Sequence, residues 1–443
     1  MSTFSGLSVA LSSLQSQRRA MDVVGQNVAN VNTPGYTRQR AEMAPIAPSN
    51  VMNMWGTPLR AGNGVEVVDI ARLGDEVATA RLRGQTALAG YHARSAQNYD
   101  QIQNSLGEPS DTGLTEQLAQ MFSAWGDVSN NASDPASLAV LQQRSAAVAD
   151  VLRERHEGVV SQWDSVHHRV GASVEALTTE AANIAHLNKE IFKADTAELP
   201  HNELLDRRDQ LITKLTRMAD VTVTPMDGGM VQLSLGGQVL VDGVNSTTVS
   251  LTGTAAFPGA TPGSTGIAVD GTAVTVDSGE LAADLNALNA ALPRVAGGYD
   301  AVATGLMNLV NGETGQAFFA GSGAADITVA ITDPAAINTS TVGRDGAIAD
   351  AIVARRNEPT APDSAWAQII GEMGVQADSA NQRAATAENT RLAAENALSA
   401  ATGVDIDEEM TNLVSTQRAY QAAGKLMATI DSMLDTLING IGR

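Results

Sequence analysis

The side chains able to do chemistry are few and badly placed for it. His156-Glu157 begins the way a zinc-protease helix begins, but no second histidine follows one turn later, so the two-histidine ligand pair is missing. His167 and His168 are adjacent and project from different helix faces, which is poor ligand geometry. Asp206 and Asp209 stand one helical turn apart with Arg207 and Arg208 between them. Paired carboxylates are one form of acid–base site. Carboxylates interleaved with guanidiniums more simply form a structural salt-bridge network, and that is the role read here for Asp206, Arg207, Arg208 and Asp209. Cysteine is absent, which removes thiol nucleophiles, disulfides and thiolate-bound zinc. There is no GxSxG elbow, phosphate loop or GxGxxG. The chain is expected to be no enzyme and to hold neither cofactor nor metal.

The helix that carries the Asp/Arg run is expected over Glu203 to Met218, capped by Asn202. Leu204, Arg208, Leu211 and Leu215 share one face, so Arg208 points among apolar neighbours and needs a carboxylate partner. Upstream, Asp134-Pro135 is an N-cap followed by proline at the first helical position. No proline follows until after Phe192, and apolar residues recur at helical spacing from Leu138 to Ile191, which predicts a rod bent at most at Gly158 and Gly171. From Asp220 the period changes to two. Asp227-Gly228-Gly229, Gly236-Gly237, Asp242-Gly243 and Asp270-Gly271 punctuate the strands as hairpin turns do. Helices resume near Gly279, and a long Ala-rich helix runs from about Ser364 to Ala401.

The two ends share one pattern. Phe4, Leu7, Leu11, Leu14, Arg18, Met21, Gly25 and Val28 step by threes and fours; so do Ile406, Met410, Leu413, Gln417, Tyr420, Gly424, Met427, Leu434 and Leu437, with one short step at Ile430. Each is a heptad seam that wants another helix against it. After the first helix, Thr33-Pro34-Gly35 makes a turn, and residues 37–70 read as extended and looped around Pro45, Pro48 and Pro58.

With 28 basic and 49 acidic residues the formal charge is −21, which repels phosphate backbones and makes nucleic acid an unlikely partner. Aromatic residues are only 3%, so the core must come from aliphatic side chains on closely packed helices. No apolar run reaches the ~20 residues of a membrane span, and no cleaved secretory signal is expected. The predicted fold is mainly α and elongated, with an inserted antiparallel β module, a long-helix rod domain, and terminal helices pairing as a coiled coil. Five parts are expected: 1–60, an N-terminal coiled-coil helix and extended segment pairing with 403–443; 61–219, the first part of the helical rod; 220–278, the β module; 279–402, the second part of the rod; and 403–443, the C-terminal helix.

Asn30-Val-Asn-Thr-Pro-Gly-Tyr-Thr-Arg38 behind an amphipathic helix resembles the N-terminal signature of flagellar rod, hook and hook-associated axial proteins. Val404-Asp-Ile-Asp-Glu-Glu-Met410, Gln417-Arg-Ala-Tyr-Gln421 and Leu434-Asp-Thr-Leu-Ile438 look like their C-terminal signature. Leu204-Leu-Asp-Arg-Arg-Asp-Gln-Leu211 with Asp227-Gly-Gly229 is similar to the hook-associated protein 1 (FlgK) family. The resemblance implies a structural axial protein, secreted to the extracellular flagellum, that joins hook to filament as a ring of subunits. It implies type III export, self-association, contact with hook protein and with the next hook-associated or filament proteins, and an export chaperone at the C-terminal region. The residues it assigns to subunit packing are Phe4, Leu7, Leu11, Leu14, Met21, Val28, Asn30, Gly35, Tyr36, Met410, Leu413, Tyr420, Met427, Leu434 and Leu437. The alternatives are another hook or rod protein, which would lack the middle motif, and a secreted helical adhesin or translocator.

Overall fold

A computed structural model describes residues 3–47 and 62–441. Pro48 and Pro58 lie outside the described residues, as do the side chains of Phe4 and Leu437. Helix α1 (Thr3–Ala29) leads into an antiparallel hairpin, β1 (Gln39–Pro45) and β2 (Val65–Arg72), with Gln39 opposite Arg72 and a bulge between Glu42 and Met43. Helix α2 (Glu76–Leu106) begins at Asp75, whose carboxylate accepts the Ala78 amide, and ends at Gly107 in the left-handed region. Helix α3 (Leu114–Asn130) precedes the central element, α4 (Pro135–Thr196), which is 62 residues long. At ~1.5 Å per residue that is a rod of about 90 Å. Asp134 accepts the Ser137 amide at its start. Gly158 and Gly171 lie within an unbroken helix. The buried stripe from Leu138 to Ile191 offsets the ~1 kcal/mol that a helical glycine costs.

Helix α5 (Asn202–Met218) is followed by two antiparallel sheets. One has the order β3 (Val221–Pro225), β4 (Val231–Leu235), β5 (Gln238–Asp242) and β6 (Asn245–Ser246). The other has β7 (Val249–Thr252), β8 (Gly266–Val269) and β9 (Thr272–Val274). Alternate residues Leu233, Leu235, Val241, Ile267 and Val269 are buried and join the core that α4 runs through. Two polar residues of α4 fix both sheets. Thr178 Oγ1 accepts the Val249 amide (3.1 Å), and Asn188 donates to the carbonyls of Val231 and Gly243 (2.8 Å each).

The next helix changes its winding for a definable reason. Between α6 (Glu280–Asn286) and α7 (Leu292–Thr314) lies a π-helical turn, Ala287–Ala291, and Pro293 follows directly. Pro293 has no N–H for the carbonyl four residues back, that of Asn289. The Gly263 amide takes that carbonyl instead (3.0 Å), and the Trp163 indole N–H takes the carbonyl of Leu288 (3.1 Å). The orphaned acceptors are thus spent on α4 and on the β7–β8 loop. The short strands β10 (Phe319–Ala320) and β11 (Thr328–Val329) and helix α8 (Ala347–Ala354) precede α9 (Pro362–Thr402), which packs along α2. Helix α10 (Ile406–Ile441) then returns to α1.

Candidate functional site

The N-terminal signature forms a loop shaped from within. Asn30 donates to the carbonyl of Gln26 (3.0 Å) and accepts from the Thr33 hydroxyl (3.1 Å), and the Tyr36 amide closes back on Thr33 (3.2 Å). Gly35 has φ +74°, and a Cβ there would collide with the Gln210 side chain, so the position needs glycine twice over. Gln210 Nε2 comes that close because it donates to the carbonyl of Pro34 (2.8 Å). The loop is therefore seated on α5.

A buried polar node lies beneath it. The Tyr36 hydroxyl donates to Asn27 Oδ1 (2.9 Å), which also accepts the Gln39 amide (3.0 Å). Asn27 Nδ2 donates to the Gln39 carbonyl (2.8 Å) and to Glu409 Oε2 (3.0 Å). The other carboxylate oxygen, Oε1, accepts from Arg38 Nε (2.8 Å), and Arg38 reaches Glu408 as well (2.6 Å). Asn27 and Glu409 are each 1% exposed, so the whole hydrogen-bonding capacity of Asn27 is satisfied without water. Burial, together with the charges of Asp206, Glu203 and Glu409, pushes the Tyr36 phenol up to about 12.

The Asp/Arg run of α5 lies next to this node. Asp206 Oδ2 accepts the Thr37 amide (3.2 Å), and its Oδ1 lies 2.8 Å from Arg72 Nε. Asp209 receives Arg72 (2.6 Å) and Arg83 (3.0 Å). Burial raises the Asp206 pKa, and the charge of Arg72 pulls it back without cancelling that effect. The ion pairs thus run to β2 and α2, not within the motif. Arg207 is exposed and makes no ion pair among the described residues. Arg208 corrects the reading above: it is buried but has no carboxylate within salt-bridge reach among the described residues. Its guanidinium donates to the Gly229 carbonyl (2.5 Å) and to Asn188 Oδ1 (3.3 Å). One carbonyl of the adjacent β turn and the Asn188 side chain accept from the guanidinium in place of an acid. Asn202 is not the cap. His201 holds that position, and Asn202 donates to the Ile70 carbonyl (2.7 Å).

Helices α1 and α10 run antiparallel, since Asn27 meets Glu409 at one end and Gly6 lies against Ile430 at the other. Their shared line meets the expected one at Ile430 and departs from it in part elsewhere. Ala10, Val24 and Asn27 of α1 and Glu409, Ala423 and Ile430 of α10 are buried. Leu11, Met410 and Tyr420 are exposed, whereas Leu7, Leu14, Met21, Val28, Leu413, Met427 and Leu434 are half-buried. Close helix approach favours small residues at the contact. A Cβ on Gly6 would lie only 3.1 Å from the Ile430 side chain. The polar flank of α1 is also used: Ser16 donates to the Val65 carbonyl (3.0 Å), so the hairpin covers a second face.

Residues 99–326, just over half of the chain, match the family model described as the flagellar hook-associated protein FlgK helical domain. The chain belongs to the FlgK family. Residues 7–37 match the flagella basal body rod protein model, and residues 397–440 match the C-terminal model of the basal body rod FlgEFG proteins. Flagellar hook-associated protein 1 of Bacillus subtilis (strain 168) is 27% identical over 504 residues, covering 100% of this chain and 99% of that protein. Its namesake in Escherichia coli (strain K12) is 31% identical over 272 residues, covering 60% of this chain and 48% of that protein. The flagellar hook junction protein FlgK of Burkholderia pseudomallei superposes with a TM-score of 0.43 at 22% identity over 54% of this chain and 44% of that one, too loose a likeness to argue from.

As a FlgK-family chain, it is a structural axial component of the bacterial flagellum, at the hook–filament junction. The rod-type matches fall on the two ends and the FlgK match on the body, so the joint of Asn27, Arg38, Asp206 and Glu409 lies where segments common to axial proteins meet the FlgK-specific part. Asn27 and Glu409 escape a sequence reading. Asn27 is one polar residue on a polar flank, and Glu409 is one of three acids in a first turn where any acid suits the helix dipole. The available signal is Arg38, a cation in the signature whose acidic partners come from the far end of the chain.

Proposed function

We propose that this chain joins hook to filament as a ring of subunits polymerised through its terminal helices, with hook protein on one side and the next hook-associated or filament protein on the other. The observation that carries the reading is the apolar surplus of the terminal pair. Leu11 on α1 and Ile406, Met410, Val414, Leu426 and Met433 on α10 remain 41–56% exposed after the two helices have packed. Burying one such side chain contributes about 1.5–3 kcal/mol, so repeated copies side by side gain what a single copy leaves in water. The same exposed side chains on α10 are an aggregation hazard that an export chaperone would cover. No described helix is long and apolar enough to cross a membrane, and the role read here is secretion through the type III route to the extracellular flagellum, with no reaction catalysed. Deletion of the gene tests the junction role. Hooks lacking filaments, with flagellin lost to the medium, are expected; normal filaments would overturn it.

A further inference from the structure

We infer that Glu409 is a latch: docking of its carboxylate couples order in the C-terminal helix to the seating of the 30–38 loop on the body. Polymerisation is not needed for this, so the inference stands or falls on the monomer.

The coupling follows from how few groups connect the parts. The carboxylate of Glu409 arrives from 382 residues away in sequence and is the acceptor shared by Asn27 and Arg38. Asn27 in turn holds both backbone groups of Gln39 and the Tyr36 hydroxyl. The same loop meets the body through the Thr37 amide on Asp206, and Asp206 shares Arg72 with Asp209, which also holds Arg83 of α2. The Arg38 amide donates to the Thr402 carbonyl at the end of α9 (3.0 Å), and the Arg38 carbonyl accepts from Leu73 (2.8 Å). One buried carboxylate therefore closes a continuous chain of hydrogen bonds and ion pairs from α10 to α2. Apolar burial along α10 among the described residues is thin, with Ala423 and Ile430 as its buried apolar residues. The base of α10 is thus held by polar contacts that are worth little unless all of them form. Without Glu409 in place, Arg38 keeps only the exposed Glu408 and Asn27 Nδ2 only the Gln39 carbonyl, so both lose their buried anionic acceptor and water competes for the freed donors. The loop then has two arrangements, seated with the latch closed or released with it open, and both ends of the chain bias the choice.

Amide exchange in the full-length monomer tests this. Glu409→Gln should speed exchange at the Thr37 and Arg38 amides about tenfold or more while the melting transition of the body is kept. Ile430→Asp, which loosens the far end of the helix pair, should leave both amides unchanged. Coupling free energies are reciprocal, so Asp206→Asn should speed exchange at the Glu409 amide, which bonds Asp405 (2.9 Å), by a similar factor. Unchanged Thr37 protection in Glu409→Gln would overturn the latch. So would equal loosening of the loop by Ile430→Asp, or an indifferent Glu409 amide in Asp206→Asn.

Discussion

Arg169 of α4 grips Asp284 of α6 with two parallel hydrogen bonds, Nε to Oδ2 at 2.9 Å and a terminal nitrogen to Oδ1 at 2.7 Å. Asp284 is 1% exposed, and Asn98 of α2 donates to the same carboxylate (3.0 Å). Three helices of the body are thereby tied by one acid. Replacing Arg169 by Met strands a buried carboxylate, for which breaking a buried pair costs about 3–5 kcal/mol. Arg94, 3.9 Å away, and Asn98 remain, and Arg169 is 28% exposed, so the loss is expected at or somewhat below the lower end of that range. Denaturant midpoints check it. The double variant Arg169→Met with Asp284→Leu should recover most of the loss, because no unpaired charge is then left inside.

Asn188 fixes the β module to the rod. Its side chain donates to the carbonyls of Val231 and Gly243 and accepts the Val231 amide (3.2 Å), all in the buried interior. In Asn188→Ala these backbone groups keep their burial and lose their partners. The expected cost is about 2–3 kcal/mol, with faster exchange at the Val231 amide and no change at the Val249 amide, which Thr178 holds separately.

Tyr36 makes the joint alkali-sensitive. Its phenol must stay neutral to donate to Asn27, and its folded pKa is raised from 10.0 to about 12. A group with a raised folded value gives its full stabilisation below the unfolded value and loses it as the pH climbs through the folded one. Stability should therefore hold up to about pH 10 and fall between pH 10 and 12. Tyr36→Phe should lose about 1 kcal/mol at pH 8, one hydrogen bond, and show a shallower fall in that alkaline window. Tyr99 and Tyr299 are also raised by burial, so the comparison with Tyr36→Phe isolates the share of Tyr36.

Periodicity alone makes the rod and the β module legible. In α4 the apolar stripe and the Asp134-Pro135 start agree with the helix found, and in the module the glycine turns fall between strands of period two. The hairpin strand β1 is a different case. Gln-Arg-Ala-Glu-Met-Ala-Pro has no alternation, because α1 covers one face through serine and asparagine hydrogen bonds, not through an apolar surface. Arg208 shows the same limit. Its burial can be read from its neighbours on the helix face, but its partners, the Gly229 carbonyl and the Asn188 side chain of α4, are brought to it by the fold and are not announced by the local sequence. The seam between α1 and α10 is legible only in part, for a third reason. Ile430 follows from the spacing, whereas Ala10 and Ala423 carry little hydrophobic weight in a sequence pattern and yet are buried.

Exposed positions of α10 separate assembly from folding. Met410 is 46% and Met433 is 56% exposed, on opposite flanks of the line that faces α1. Aspartate at both removes no contact that holds the monomer together, and surface substitutions of this kind stay within about 0.5 kcal/mol each. Burial of the same carboxylates in a contact between copies would cost several kcal/mol per charge. The double variant should therefore melt as the parent does and yet fail to connect filaments to hooks when it is the only copy in the cell. Electron microscopy of sheared flagella beside a melting curve reads both outcomes. Filaments of normal number on this variant would mean that the α10 stripe faces water in the finished flagellum, and that the subunits hold together through the body.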